Sequence, residues 1–289
     1  MRDLRDLDLN RVPPPAPPSP PPPVWPMVAA ALLVLLLIGL GIFGWYSRRA
    51  RSTQQTPAAP RAEAPASRSP TPPLGGPGED IELPPLGESD PLVRLLVGRL
   101  SSHPAVAAWL TSDSLIRNAT VVVQNVAAGG TPARHLRHVG PQAGVAVRGE
   151  AGDTLVDPRS HQRYNWMADA VASIDAAGAA RLYSTLRPRV EEAYAELGST
   201  DAGFDATLER AIVVLLETPV VEGDVRLVPR GALYAYADPR LEALLPAQKQ
   251  LIRTGPRNTR LMQAKLREIA LALGLTEDRL PKETIVQAR

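Results

Sequence analysis

The chain has 289 residues, a formal net charge of +2 and no cysteine. A charge so close to neutral, with no basic patch interleaved with aromatic residues, argues against nucleic acid as a partner. The absence of cysteine excludes disulfides, thiolate nucleophiles and cysteine-ligated metal sites.

Residues 1–23 form the first predicted segment, a proline-rich tail that ends in Pro20-Pro21-Pro22-Pro23. A chain with so few bulky apolar residues cannot bury enough surface to offset the entropy of ordering. We therefore expect this tail to be disordered.

Residues 24–46 carry no charged side chain. A helix satisfies its backbone polar groups internally, and about 20 apolar residues are enough to cross the hydrocarbon core. Trp25, Trp45 and Tyr46 stand at the two ends, where amphipathic rings favour the interface. This pattern predicts a single-pass transmembrane helix with the lipid bilayer as partner. A signal peptide is disfavoured, because the apolar run is too long and follows a proline tract.

Residues 47–89 are predicted to be a linker rich in proline and alanine. Arg48, Arg49 and Arg51 lie directly after the apolar run, and the positive-inside tendency favours a cytoplasmic location for the C-terminal domain. An extended proline-rich spacer instead suits a domain held away from the membrane, and long domains can translocate despite local charge. We expect an inner (cytoplasmic) membrane protein of a bacterium, with its globular domain in the periplasm.

Residues 90–275 show mostly helical periodicity, with apolar residues repeating every three or four positions. Four such stripes, each ended by proline or glycine, begin at Leu182, Phe204, Leu241 and Met262. Further helices are predicted over residues 91–101, 104–110, 113–128 and 159–173. The β-branched residues 120–123 are also compatible with a strand.

Two short segments in this domain are predicted to be β-hairpins. Residues 145–147 and 154–156 flank a glycine-containing turn, and residues 225–228 and 233–236 flank Pro229-Arg230-Gly231. The predicted fold is mainly α: a compact multi-helix domain with one or two short β-hairpins, preceded by the transmembrane helix and disordered proline-rich segments. Residues 276–289 are expected to form a C-terminal tail.

Several short motifs are spread over about residues 89–273, among them Ser89-Asp90-Pro91, Leu115-Ile116-Arg117, Glu192-Ala193-Tyr194 and Ala237-Asp238-Pro239. Together they resemble the bacterial family called domain of unknown function 3014. Members of that family are typically single-pass membrane proteins with a proline-rich linker. The resemblance therefore implies that organisation and supplies no activity. The chain departs from the family pattern at Gln124, His161 and Asn165, where the family tends to place Asp, Tyr and Asp.

Glu192 and Glu196 lie four residues apart on a predicted helix, and Lys249 and Arg253 repeat the spacing with opposite charge. Three interpretations remain open: two solvated faces, a clasp between the two helices, or a paired-carboxylate acid–base site.

Asp157 and Asp238 each precede a proline, and we interpret both as helix caps. His135 and His138 lack a third metal ligand nearby in sequence, and no phosphate-loop or dinucleotide motif occurs. Five tyrosines are interpreted as rims of the core rather than a ligand cage: Tyr164, Tyr183, Tyr194, Tyr234 and Tyr236. No catalytic residue, cofactor or metal site is predicted.

The predicted function is a membrane-tethered, non-enzymatic binding or scaffolding domain of the bacterial cell envelope. Its partner would be an envelope protein or cell-wall material. The alternative is an envelope hydrolase that acts on cell-wall material through Glu192 and Glu196. A concave site holding both carboxylates would favour the hydrolase.

Overall fold

Ten α-helices and six β-strands form within the ranges that the computed structural model describes: residues 73–131, 140–141, 144–150, 153–198, 203–231 and 233–288. The helices are α1 (Asp90–Gly98), α2 (Pro104–Trp109), α3 (Leu115–Ala127), α4 (Arg159–Gln162), α5 (Asn165–Ala172), α6 (Ala176–Glu196), α7 (Phe204–Leu216), α8 (Pro239–Glu242), α9 (Pro246–Ile252) and α10 (Pro256–Ala272). The strands are β1 (Val147–Arg148), β2 (Thr154–Val156), β3 (Val220–Glu222), β4 (Arg226–Arg230), β5 (Leu233–Tyr236) and β6 (Ile285–Gln287).

Local chemistry explains where several helices begin. Helices α1, α2, α8, α9 and α10 have proline in the first turn, where the missing N–H costs no helical hydrogen bond. The carboxylate of Asp175 accepts hydrogen bonds from the N–H groups of Ala177 and Gly178 and so caps α6. These signals place the helix starts independently of tertiary contacts.

The largest buried cluster joins the long helices. Ile212 and Leu216 of α7 pack with Ala180 of α6 and Ala270 of α10. Helix α3 also packs on α6 and α7. Residues 120–123 are helical within α3. The preference of their β-branched side chains for a strand is therefore outweighed by the helix that contains them.

The two predicted hairpins join into one antiparallel sheet with the strand order β1-β2-β4-β5. Thr154 pairs with Leu227 and Leu155 with Arg226, which places β2 beside β4 across about 70 residues of sequence. An isolated two-stranded hairpin is at best marginally stable in water. Pairing of β2 with β4 joins the two hairpins, so each hairpin gains a third neighbouring strand. A second, parallel pairing joins β3 to β6.

The prediction of a mainly α fold is wrong, because the structure is mixed helix and sheet, with 54% helix and 10% strand among the described residues. The physical reason is that strand pairing between distant segments leaves no short-range signal in the sequence. The expected hairpins are parts of a four-stranded sheet, and a parallel strand pair was not anticipated.

Residues 1–72 lie outside the described residues. They include the predicted transmembrane helix at residues 24–46, the proline-rich tail and most of the predicted linker. No helix in the described ranges has the length and apolar character needed to cross a membrane.

Segments at both ends of the described chain take part in the folded unit. Leu74 belongs to the largest buried cluster, and Leu86 to a second cluster with α1 and α6. At the other end, β6 pairs with β3 inside the segment expected to be a tail, and Leu280 is buried with Leu74. Residues on both sides of the predicted range 90–275 therefore contribute apolar contacts.

Candidate binding pocket

A pocket of about 390 Å³ opens on the four-stranded sheet beside helices α4, α8 and α9. This volume is near the lower end of the range for small-molecule sites. Its apolar lining consists of Val145, Val156, Val225, Leu227, Leu233 and Ile252.

The pocket floor is set by the alternation of side chains along β4. Leu227 is buried, whereas its neighbours Arg226 and Val228 are exposed. Residues two apart in a strand share a face, so Val225 lies on the same side as Leu227. Both belong to one buried cluster with Ile252. The floor is therefore part of the hydrophobic core, and the sheet register fixes its shape.

Glu242 and Lys249 form an ion pair at the pocket rim. Lys249 Nζ lies 3.2 Å from Glu242 Oε1 and donates to the Glu242 carbonyl oxygen at 2.9 Å. The other carboxylate oxygen, Oε2, accepts a hydrogen bond from the Tyr236 N–H at 3.1 Å. The hydrogen bond from Tyr236, followed by the bond and charge of Lys249, lowers the pKa of Glu242. Glu242 is thus ionised at neutral pH and links α8, α9 and β5.

Tyr236 and Arg253 form a second polar group. Burial raises the pKa of Tyr236, while the charge of Arg253 and a hydrogen bond from it act in the opposite direction. The Arg253 guanidinium also donates from Nη1 to Gln250 Oε1 at 3.0 Å. Within the described ranges, this guanidinium forms no ion pair with a carboxylate.

His161 and Arg163 line the side of the pocket formed by α4 and the residue after it. Burial lowers the pKa of His161, and the charge of Arg163 lowers it further, so the ring is neutral at neutral pH. Arg163 Nε donates to the Ser160 carbonyl oxygen at 2.9 Å, and its guanidinium lies over the Tyr164 ring, 4.9 Å from the centroid. These contacts hold Arg163 against the wall.

The lining favours reversible binding over covalent chemistry. The Ser160 hydroxyl donates to the Ala146 carbonyl oxygen at 2.7 Å and accepts from the Ala146 N–H at 2.7 Å. Its hydrogen bonds therefore go to the backbone of Ala146 and do not activate it as a nucleophile. Three lining side chains, Arg163, Lys249 and Arg253, carry positive charge. Among the described lining residues, Glu242 is the carboxylate, and Lys249 already neutralises it.

Glu192 and Glu196 lie away from this pocket, near the C-terminal end of α6. Glu196 accepts two hydrogen bonds from the guanidinium of Arg117, at 2.6 and 2.8 Å. This pairing lowers the pKa of Glu196. Glu192 pairs with Arg189 of the same helix at 2.7 Å. Both carboxylates are exposed, and each contacts an arginine rather than the other carboxylate.

The clasp between Glu192/Glu196 and Lys249/Arg253 is not formed. Lys249 pairs with Glu242, and Arg253 donates to Gln250. The structure instead brings Lys249 and Arg253 together at the pocket rim. The physical reason is that the spacing of charges along each helix does not determine which faces of the two helices pack against each other.

The two candidate cap residues are both buried, and the carboxylates of both accept hydrogen bonds. Asp157 Oδ1 accepts from the Arg159 N–H at 2.8 Å, and Asp238 Oδ1 accepts from the Arg240 N–H at 2.9 Å. Each carboxylate also pairs with the guanidinium of the same arginine, at 2.7 and 2.6 Å. The Arg159 guanidinium bond, ahead of the backbone bond, lowers the pKa of Asp157 to about 2.

No group of three histidine, aspartate or glutamate side chains suited to a metal ion occurs among the described residues. His135 and His138 lie outside them.

Sequence reasoning did not single out Glu242, His161 or Arg163 as site residues. Glu242 and Lys249 are seven residues apart, a spacing that one continuous helix would place on one face. Pro246 instead starts a separate helix, so α8 and α9 are distinct. Their ion pair therefore crosses a helix break, and only the folded chain shows it.

The chain matches no curated protein and no solved structure. Residues 115–270 match the family described as protein of unknown function (DUF3014). This range contains every lining residue of the pocket and covers more than half of the chain. The protein therefore belongs to the DUF3014 family.

Proposed function

We propose that the protein is a membrane-attached, non-enzymatic binding domain of the bacterial cell envelope, with the pocket on the four-stranded sheet as its binding site. The supporting observation is the construction of that pocket. A buried apolar floor lies beneath a rim that includes Lys249 and Arg253. An apolar floor favours burial of a ligand, and fixed polar groups orient it.

The membrane location in this proposal rests on the sequence. Residues 24–46 lack charge over a length sufficient for the hydrocarbon core, and Trp25 and Trp45 suit its interfaces. The proline-rich residues after them would act as a spacer of roughly 3.1 Å per residue when extended. We place the folded domain in the periplasm of a bacterium with an inner membrane.

A hydrolase built on Glu192 and Glu196 finds no support in their geometry. A paired-carboxylate mechanism needs one acid whose pKa is raised so that it can donate a proton. Arg117 lowers the pKa of Glu196, which is the opposite direction. Both carboxylates are also exposed, and each pairs with an arginine and not with the other carboxylate.

Site-specific photocrosslinking in living cells tests the binding function. The full-length protein would carry a photoreactive phenylalanine analogue at Tyr234, an exposed residue of the pocket rim, or at Leu197, an exposed residue outside the pocket. We expect discrete adducts from position 234 with an envelope component and none from position 197. Identical patterns from both positions, or no adduct from position 234, would contradict the proposed site.

The location is tested separately by reporters fused after Arg289. A reporter that is active only in the periplasm should work, and a cytoplasmic one should not. The reverse result would contradict the periplasmic assignment and agree with the tendency of Arg48, Arg49 and Arg51 to remain inside.

A further inference from the structure

We infer that the pocket binds a small carboxylate with a compact apolar body, and that Arg253 recognises the carboxylate group. The inference rests on the proposed function, because it names the ligand class of the same pocket.

Arg253 differs from the other two cations of the rim in what it contacts. Lys249 pairs with Glu242, and Arg163 donates to the Ser160 carbonyl and lies over Tyr164. The Arg253 guanidinium donates to a neutral group, the Gln250 amide oxygen, and forms no ion pair among the described residues. A guanidinium presents five N–H donors in a planar fork that matches a carboxylate with two parallel hydrogen bonds. Arg253 therefore has donors of the right geometry for a bound carboxylate.

The charge of the rim also favours an anion. Arg163, Lys249 and Arg253 are cationic, and Glu242 is already shared between Lys249 and Arg230. A cationic ligand would meet like charges, and the carboxylate among the described lining residues, that of Glu242, is already paired. A neutral ligand would desolvate Arg253 without giving it a charged partner, which costs free energy. An anion avoids both penalties.

The apolar part of the ligand is inferred from the floor and from one exposed residue. Val225, Leu227 and Ile252 are buried side chains that present an apolar surface to the pocket. Leu233, at the edge strand β5, is 75% exposed although it lines the same pocket. A ligand with an aliphatic or aromatic body would cover Leu233 and remove its apolar surface from water. The volume of about 390 Å³ limits that body to a small group.

Three compounds of the same shape separate the contribution of charge from that of the apolar body: 3-phenylpropanoate, 3-phenylpropan-1-ol and 3-phenylpropylammonium. Binding of each to the full-length protein in lipid nanodiscs would be measured by saturation-transfer NMR, with empty nanodiscs as the blank. We expect 3-phenylpropanoate to bind most tightly and the ammonium compound least tightly.

Substitutions then locate the recognition. Arg253→Gln should weaken 3-phenylpropanoate about tenfold or more, since hydrogen bonds to charged groups contribute well above neutral ones. Arg253 is exposed, so the variant should fold as the original protein does. Arg257→Gln is the matched control, because this exposed arginine pairs with Asp169 and does not line the pocket. It should leave binding unchanged. Leu233→Ser should weaken all three compounds together.

The outcomes distinguish this inference from the proposed function. Equal binding of the three compounds, unaffected by Arg253→Gln, would overturn carboxylate recognition while the pocket remained a binding site. Absence of binding by 3-phenylpropanoate would also overturn the inference, and the adducts at position 234 would then decide the proposed function independently. If Arg257→Gln weakened the binding of 3-phenylpropanoate as much as Arg253→Gln does, the cause would be the net charge of the surface. That result would overturn the role of Arg253 in recognition.

Discussion

Gly255, at the start of α10, meets two constraints at one position. Its backbone has φ +88° and ψ 163°, a region that is almost restricted to glycine. An added Cβ would also lie 2.6 Å from the Cβ of His161 in the pocket wall. Gly203, before α7, has nearly the same backbone, with φ 87° and ψ 168°, but among the described residues its Cβ would meet the Glu191 carboxylate, at 3.5 Å from Oε1 and 4.0 Å from Oε2. This pair of glycines separates backbone strain from steric conflict.

We expect Gly255→Ala to lower the free energy of unfolding more than Gly203→Ala does. Both should lose about 1–3 kcal/mol from backbone strain. Gly255→Ala should lose about 1–3 kcal/mol more, because His161 must move. Urea denaturation of the two variants measures the difference. Equal losses would contradict the close approach of Gly255 and His161.

Asp157 should make folding stability depend on pH in acid. Its pKa is lowered from 3.8 to about 2 in the folded state, chiefly by the side chain of Arg159. The unfolded state therefore binds the proton first as pH falls. The stabilisation is fully present above pH 3.8 and is lost as pH falls through about 2.

Asp157→Asn keeps the capping oxygen and removes the charge. We expect the difference in unfolding free energy between the original protein and this variant to be constant near neutral pH and to be lost as pH falls through about 2. Thermal unfolding across this pH range measures it. In Arg159→Gln the same Asp157 substitution should have a smaller effect; an undiminished effect would show that Arg159 is not the main cause.

At the scale of elements, residues 73–89 pack along α6 as a segment without α-helix or strand that ends in a short 3-10 helix, Leu86–Glu88. Glu79 donates its N–H to Thr185 Oγ1 at 2.9 Å, and the carboxylate of Asp205 accepts from the Leu74 N–H at 3.1 Å. Gly78 approaches α6 so closely that an added Cβ would lie 2.7 Å from the backbone nitrogen of Thr185. The backbone of a helix cannot move aside as a flexible side chain can.

Gly78→Ala should therefore destabilise the fold by about 1–3 kcal/mol through overpacking. Gly87→Ala is the matched control: neither glycine has positive φ, and no heavy atom of the described residues lies within 4 Å of a Cβ at Gly87. The control should change stability by less than about 1 kcal/mol. Hydrogen exchange at Glu79 would report whether the segment detaches. Unchanged protection in Gly78→Ala would contradict this packing.

At the scale of the whole molecule, the folded unit includes residues that precede Asp90. Leu74 is 9% exposed and Leu86 is 4% exposed, and both belong to buried clusters. A chain that starts after residue 51 keeps both leucines, whereas one that starts at Asp90 loses both.

Deletion of residues 1–51 should leave a soluble domain with cooperative unfolding. Deletion of residues 1–89 should cost about 3–6 kcal/mol, since burial of one leucine contributes about 1.5–3 kcal/mol. Calorimetry of the two truncated proteins compares them. Equal stability would mean that residues 73–89 contribute little, and aggregation of the longer protein would contradict its independence from residues 1–51.

Much of the helical part of this protein is readable from the sequence. The stripe that begins at Phe204 and the stop at Pro219 correspond to α7, and the stripe that begins at Met262 lies within α10. Helices depend on contacts between residues three or four apart, together with local caps, so the necessary information lies within a short window. The resemblance to DUF3014 is likewise carried by short motifs, and the family match confirms it.

Tertiary structure alone decided the sheet and the pocket. The pairing of β2 with β4 and of β3 with β6 joins segments that are about 70 residues apart, which no local period encodes. Lys249 was identified from its spacing to Arg253, but its partner is Glu242 across a helix break rather than a carboxylate of α6. Charge spacing along one helix restricts which residues share a face. Which face meets which neighbour depends on the packing of all the helices against the sheet, and that packing exists only in the folded chain.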